Sequence, residues 1–163
     1  MSTINGLPAH VLLVHFVVVL APLTAILLIL CALWPAARHR LVWLTLALSA
    51  ATIALTPLAT DAGESLERRV DRTPAVHIHT GRGDTMIYFA VALMVVAVVV
   101  AAVHYREQRS GRVGGVVTGL VAVLALVVGV SAMVQVYRIG ESGAQAVWGD
   151  QVTSTAPAVA PEP

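Results

Sequence analysis

The side chains of this chain that could do chemistry together are four imidazoles, His10, His15, His77 and His79, and five carboxylates, Asp61, Glu64, Glu67, Asp84 and Glu141. Imidazole mixed with carboxylate suits a non-haem first-row ion, with Fe, Mn or Zn the compatible choices. Thiolate-selective ions are unsupported, because Cys31 is the single cysteine and lies far along its run from these groups. Two imidazoles on facing helices suit a different group, a b-type haem. No nucleophile–base constellation, glycine-rich phosphate loop or HExxH motif stands out. Ser65 and Ser142, each in a Gly-Glu-Ser context, read as helix-end caps. Nothing in these residues marks the chain as an enzyme rather than a carrier.

His15 carries the most information, because an ionisable side chain about two turns inside an apolar run is expensive and needs a partner or a function. On an ideal helix His10 and His15 stand about 140° apart, so one ion cannot easily take both unless the helix starts after His10. Pro8 is compatible with His10 in a first helical turn.

The elements that must position these groups are membrane spans. Only 12% of residues are charged and 58% are hydrophobic, with a mean hydropathy of +0.84; a soluble domain carries about 25% charged residues. A spanning helix needs about 20 mostly apolar residues, and such runs cover about 9–34, 41–59, 85–104 and 113–137. The expected fold is all-α, an antiparallel four-helix bundle forming one domain over 1–150, with a disordered tail, rich in Ala, Pro, Ser and Thr, over 151–163. The first run has no basic segment before it and no small-residue cleavage site, so it reads as a span rather than a removable signal. A net charge of +1 implies no nucleic-acid partner.

Every positive side chain is arginine. Arg38, Arg40, Arg106, Arg109 and Arg112 fall in the two short connectors, and Arg68, Arg69, Arg72, Arg82 and Arg138 fall on the other side. The higher positive density of the short connectors points to both termini outside. His39 and His104, beside arginines, read as interfacial residues. In the long outer connector, residues 62–70 read as a short helix, Pro74 and the Gly81/Gly83 pair as breakers, and Asp84 as the N-cap of the third span. In the fourth run Gly115, Gly119, Ala125 and Gly129 recur at the small-residue spacing that lets helices approach in lipid. Packing inside the chain's own bundle is the main expectation for this stripe, and a homodimer the alternative.

A weak repeat relates the two helix pairs. The second run ends near Gly63-Glu64-Ser65 and the fourth near Gly140-Glu141-Ser142, while His10-x4-His15 opens the first pair and His79-x4-Asp84 the second. A helix-pair duplication would bring both sets to one side of the membrane.

At these residues, over about 5–150, the chain resembles the bacterial membrane family known as domain of unknown function 2231. That family has four spans, an opening like HPxxVHFP, a TGxAE stretch after the second span, H-x4-E before the third and a GHSGA-like stretch after the fourth. Here the corresponding residues are His10 to Phe16, Thr60-Asp61-Ala62-Gly63-Glu64, His79 to Asp84, and Gly140-Glu141-Ser142-Gly143-Ala144. Valines stand at 11 and 17 where the family often has proline, and Glu141 stands where relatives carry histidine. A carboxylate still ligates a non-haem metal but is a poor axial ligand for haem. The family is similar in plan to small b-type cytochromes, and some members are fused to Rieske or c-type cytochrome modules, which implies redox neighbours in a bacterial cytoplasmic membrane.

The sequence therefore sets three expectations. The first is a non-haem metal site at the outer mouth of the bundle, built from His10, His15, Glu64, His79, Asp84 and Glu141, with His77, Asp61 and Glu67 as lesser candidates, serving membrane redox chemistry. The second is a b-type haem electron carrier. The third is a cofactor-free accessory subunit of a respiratory or other membrane complex, in which the polar cluster only fastens helix ends.

Overall fold

The computed structural model describes residues 3–4, 7–70 and 73–154. A two-residue antiparallel ladder, Thr3–Ile4 (β1) with Leu7–Pro8 (β2), precedes five helices: α1 Ala9–Leu33, α2 Pro35–Glu67, α3 Pro74–Asp84, α4 Met86–Ser110 and α5 Gly115–Ser154. Four helical stretches are long and apolar enough to cross a membrane, the third comprising α3 and α4 together. α1, α2, α4 and α5 form a ring in which each packs on its two neighbours, and α3 lies against α5 and α2. The expected all-α bundle with a helix in its long connector is what the chain forms.

The helices are longer than the apolar runs. At 1.5 Å per residue α2 is about 50 Å long and α5 about 60 Å, against a hydrocarbon thickness of about 30 Å. Their polar ends, Thr60–Glu67 and Arg138–Ser154, therefore extend beyond the apolar layer and form, with α3, a helical platform at one end of the bundle.

The connector helix is not where the sequence put it. Residues 62–67 continue α2 rather than starting a new helix, and Pro74 opens α3 instead of breaking the chain. Proline suits the first helical position, where its missing N–H has no intrahelical partner. Thr73 caps that helix, its Oγ1 accepting from the Val76 N–H at 3.3 Å. Asp84 is the last, exposed residue of α3 and caps nothing; the residue before α4 is Thr85. The corner there is held from α5, where the Gln135 amide donates to the Arg82 carbonyl at 2.9 Å and to Thr85 Oγ1 at 2.7 Å. The Thr85 hydroxyl in turn donates to the same carbonyl, at 2.7 Å.

Inside the ring, small residues allow close packing. Ala25, Ala90, Ala125 and Ala132 are fully buried, with Leu28 and Leu93 between them. Along the buried face of α2 run Thr45, Ser49, Thr52 and Thr56. Each hydroxyl donates to the carbonyl one turn earlier, at 2.7–2.9 Å, and Thr45 and Thr52 Oγ1 also lie 3.5 Å from Cys31 Sγ and Thr24 Oγ1 of α1, respectively. Of the small-residue stripe on α5, Ala125 and Gly129 face the core. A Cβ on Gly129 would sit 2.8 Å from Ile29 Cδ1 of α1. Gly115 and Gly119 are exposed, with nothing within 4 Å of where their Cβ atoms would be.

The end opposite the platform is clasped by an ion pair. The guanidinium of Arg38, 3% exposed, donates to both carboxylate oxygens of Glu107, at 2.8 and 3.1 Å, and to the Cys31 and Ala32 carbonyls at the end of α1. His104, read from sequence as interfacial, is buried in the same place, because α4 turns that face inward against α2. His39 is exposed, as an interfacial residue would be.

Candidate functional site

Two of the sequence-selected histidines are held in matching ways at the platform end. His10, in the first turn of α1, donates from Nδ1 to the Ala59 carbonyl of α2 at 3.0 Å. His79, on α3, donates from Nδ1 to the Ile139 carbonyl of α5 at 3.1 Å, with Ser142 Oγ also 3.3 Å away. A carbonyl can only accept, so Nδ1 carries the proton and, in the neutral ring, Nε2 keeps a lone pair. Each ring also lies against a glycine one turn beyond its carbonyl partner. A Cβ on Gly63 would come within 3.0 Å of His10 Cε1, and one on Gly143 within 3.0 Å of His79 Cε1.

This geometry resets the register of the internal repeat. The sequence aligns Gly63 with Gly140, but nothing lies within 4 Å of a Cβ placed on Gly140. The equivalent pairs are His10 with His79, Ala59 with Ile139, and Gly63 with Gly143. The shared spacing is a carbonyl and a glycine four residues apart on the long helix that receives the ring. A motif matched by residue identity, Gly-Glu-Ser, missed it because the carbonyl partner can belong to any residue type.

Both imidazoles line one cavity. It holds about 60 Å³ of room for water-sized groups and opens to the exterior. All five helices contribute to its wall: Val14, Val17 and Val18 from α1, Thr56, Ala59 and Thr60 from α2, Gly83 beside His79 on α3, Met86 from α4, and Val136 and Ile139 from α5. Five of these wall residues, Val17, Ala59, Met86, Val136 and Ile139, form with Ala21 a buried apolar cluster. The cavity is thus an apolar chamber with an imidazole on two of its sides.

The remaining candidates lie elsewhere. His15 is exposed on α1 and donates from Nδ1 to the Val11 carbonyl of its own helix. The angular offset from His10 keeps it off the cavity. His77, Asp61, Glu64, Asp84 and Glu141 are exposed, Glu67 is half-buried, and none of these six lines the cavity. Sequence reasoning did not foresee Met86, which lines the chamber; only its position at the start of the third run distinguishes it. Among the described residues, the one group of three or more metal-type side chains with converging ligand atoms is at the other end: His39, His104 and Glu107.

A family model described as "Predicted membrane protein (DUF2231)" matches residues 6–156. No curated protein and no solved structure matches the chain. The match takes in all four spans, both histidine–glycine contacts and the cavity between them, and the chain belongs to the DUF2231 family of membrane proteins.

Proposed function

We propose that this multi-pass membrane protein is a b-type haem electron carrier, with His10 and His79 as the axial ligands. The observation that carries the reading is the pair of rings on one cavity, each with Nδ1–H donated to a backbone carbonyl. A metal-bound histidine almost always donates its other ring N–H to a carbonyl, carboxylate or water, which fixes the tautomer and the ring orientation. Here Ala59 and Ile139 do this, and Gly63 and Gly143 let the rings lie close against the helix backbones. Bound there, haem would supply a one-electron couple.

The lining of the chamber, mainly aliphatic apart from the two rings, suits an apolar group better than a bare ion. A non-haem Fe, Mn or Zn site draws on carboxylates, and Asp61, Glu64, Asp84 and Glu141 stay exposed and off the cavity wall. The aliphatic wall from Val14, Val17, Val18, Val136 and Ile139 offers apolar contacts of the kind a macrocycle would use. Arg82 and Arg138 are sequence neighbours of the lining residues Gly83 and Ile139, and the Arg82 guanidinium donates to the Arg138 carbonyl at 3.0 Å. They add positive charge at this end of the bundle, which would suit a group that carries carboxylates. The exposure of Glu141 removes it from the ligand set, so its replacement of a family histidine does not subtract from this pair. On this reading the platform end faces outside and the partner is a redox protein or module in or on the same membrane.

The test is reconstitution. Detergent-purified protein titrated with haemin is expected to bind one haem per chain, and His10→Ala and His79→Ala each to lose binding while eluting as the parent does on size exclusion. Unchanged binding in both variants rejects the ligand assignment.

A further inference from the structure

At the end of the bundle opposite the cavity, α2 begins and α4 ends, and one ligand atom each from His39, His104 and Glu107 lies within 4.8 Å of the others. His104 and Glu107 are three residues apart on α4 and so share one face. His39 comes across from α2, its ring edge-on to His104 with centroids 4.9 Å apart. Burial is graded: His104 is 1% exposed, Glu107 half-buried and His39 exposed. The group therefore has a dry floor and an open side.

His104 Nδ1 is buried and has no hydrogen-bond partner. A buried polar atom left unpaired is costly and calls for an explanation. Its other nitrogen, Nε2, sits 2.9 Å from the Gln108 side-chain amide. Turning that amide by half a rotation presents its oxygen, which accepts the Nε2 proton and leaves a bare lone pair on Nδ1. That is the tautomer a metal-ligating histidine needs, with its outer nitrogen already held. The Glu107 carboxylate is oriented by Arg38 through both oxygens, and each oxygen retains a further lone pair. The charge on Arg38 is offset by Glu107 and by the terminal carbonyls of α1 that it also engages. The C-terminal end of α4 adds the negative pole of its helix dipole.

We propose that His39, His104 and Glu107 form a binding site for a divalent first-row transition-metal ion of the Zn2+ type, independent of the cavity at the other end. Two imidazoles and one carboxylate are a known zinc ligand set, with a fourth position left for water. The exposed His39 ring closes over the ion, and the buried His104 anchors it. The ion ties the start of α2 to the end of α4, reinforcing the clasp made by Arg38 and Glu107.

Protein stripped with a chelator, desalted and titrated with Zn2+ is expected to retain one zinc per chain by elemental analysis and to unfold at a higher temperature with zinc than without. His39→Ala, at an exposed position, keeps the fold; it is expected to weaken zinc binding roughly tenfold or more and to abolish the thermal shift. Glu107→Gln is expected to weaken binding similarly. Wild-type protein that retains no zinc, or His39→Ala that binds as the wild type does, overturns the proposal. Loss of zinc in His10→Ala but not in His39→Ala moves the ion to the cavity and equally overturns it.

Discussion

A histidine in an apolar helix can place its ring proton on its own helix or on a neighbouring one, and this chain does both. His15 donates to the carbonyl one turn back on its own helix, which needs no partner and lets it stand exposed on the outside of the bundle. His10 and His79 donate across to other helices and face a shared cavity. From sequence His15 is the most telling, because an imidazole in lipid needs a partner and the nearby histidines and carboxylates favour a site over a carbonyl; its partner is the carbonyl of its own helix. His10 and His79 were legible as candidates, but their backbone partners were not, since a carbonyl has no sequence signature. Two predictions belong here. His15→Ala is expected to leave haem binding by the purified protein unchanged in a haemin titration. Gly63→Ala and Gly143→Ala force a methyl to within about 3.0 Å of the rings and are expected to weaken haem binding roughly tenfold each, in line with losses of groups that orient metal ligands. Gly140→Ala is the control, because it meets nothing. Equal effects from Gly140→Ala and Gly143→Ala would sink the revised register.

At the scale of the element, the four apolar runs were legible because lipid demands length and apolarity, and they match four of the five helices. The ends were not legible. Residues 60–67 carry charges that mark the edge of the bilayer, yet nothing about charge stops a helix, and α2 simply continues into water. Proline at 74 misled for the same reason: a breaker in mid-helix is a starter at the first position. Thr73→Ala removes the cap of α3 and is expected to cost about 1 kcal/mol, read as lower protection of α3 amides in hydrogen exchange. Larger effects belong to the clasp. Arg38→Ala leaves Glu107 unpaired and the end of α1 uncapped, and is expected to destabilise the detergent-solubilised protein by about 3 kcal/mol. A thermal unfolding midpoint equal to the wild type would show that Arg38 is dispensable to the bundle. Of the small-residue stripe, Ala125 and Gly129 pack within the chain while Gly115 and Gly119 do not, a split that spacing alone cannot reveal.

For the whole molecule, the two ends of the bundle are chemically different. The platform end holds an apolar chamber with two imidazoles, and the other end holds an ion pair, a buried histidine and the arginines of the short connectors. The even number of spans puts both termini on one side, and the arginine density of the short connectors predicts that this side is outside. In intact cells a membrane-impermeant maleimide is expected to label Gln145→Cys and to label Ser110→Cys only after permeabilisation, with buried Cys31 silent in both. The reverse pattern would invert the protein and put the chamber inside. The central claim, that the two imidazoles hold a haem, is most directly tested by the optical spectrum of the protein purified from its own membrane, first oxidised and then reduced with dithionite. The account predicts a sharp Soret band that shifts on reduction, with α and β bands appearing, and loss of all of them in His10→Ala and in His79→Ala. A visible region without features in either redox state would contradict it.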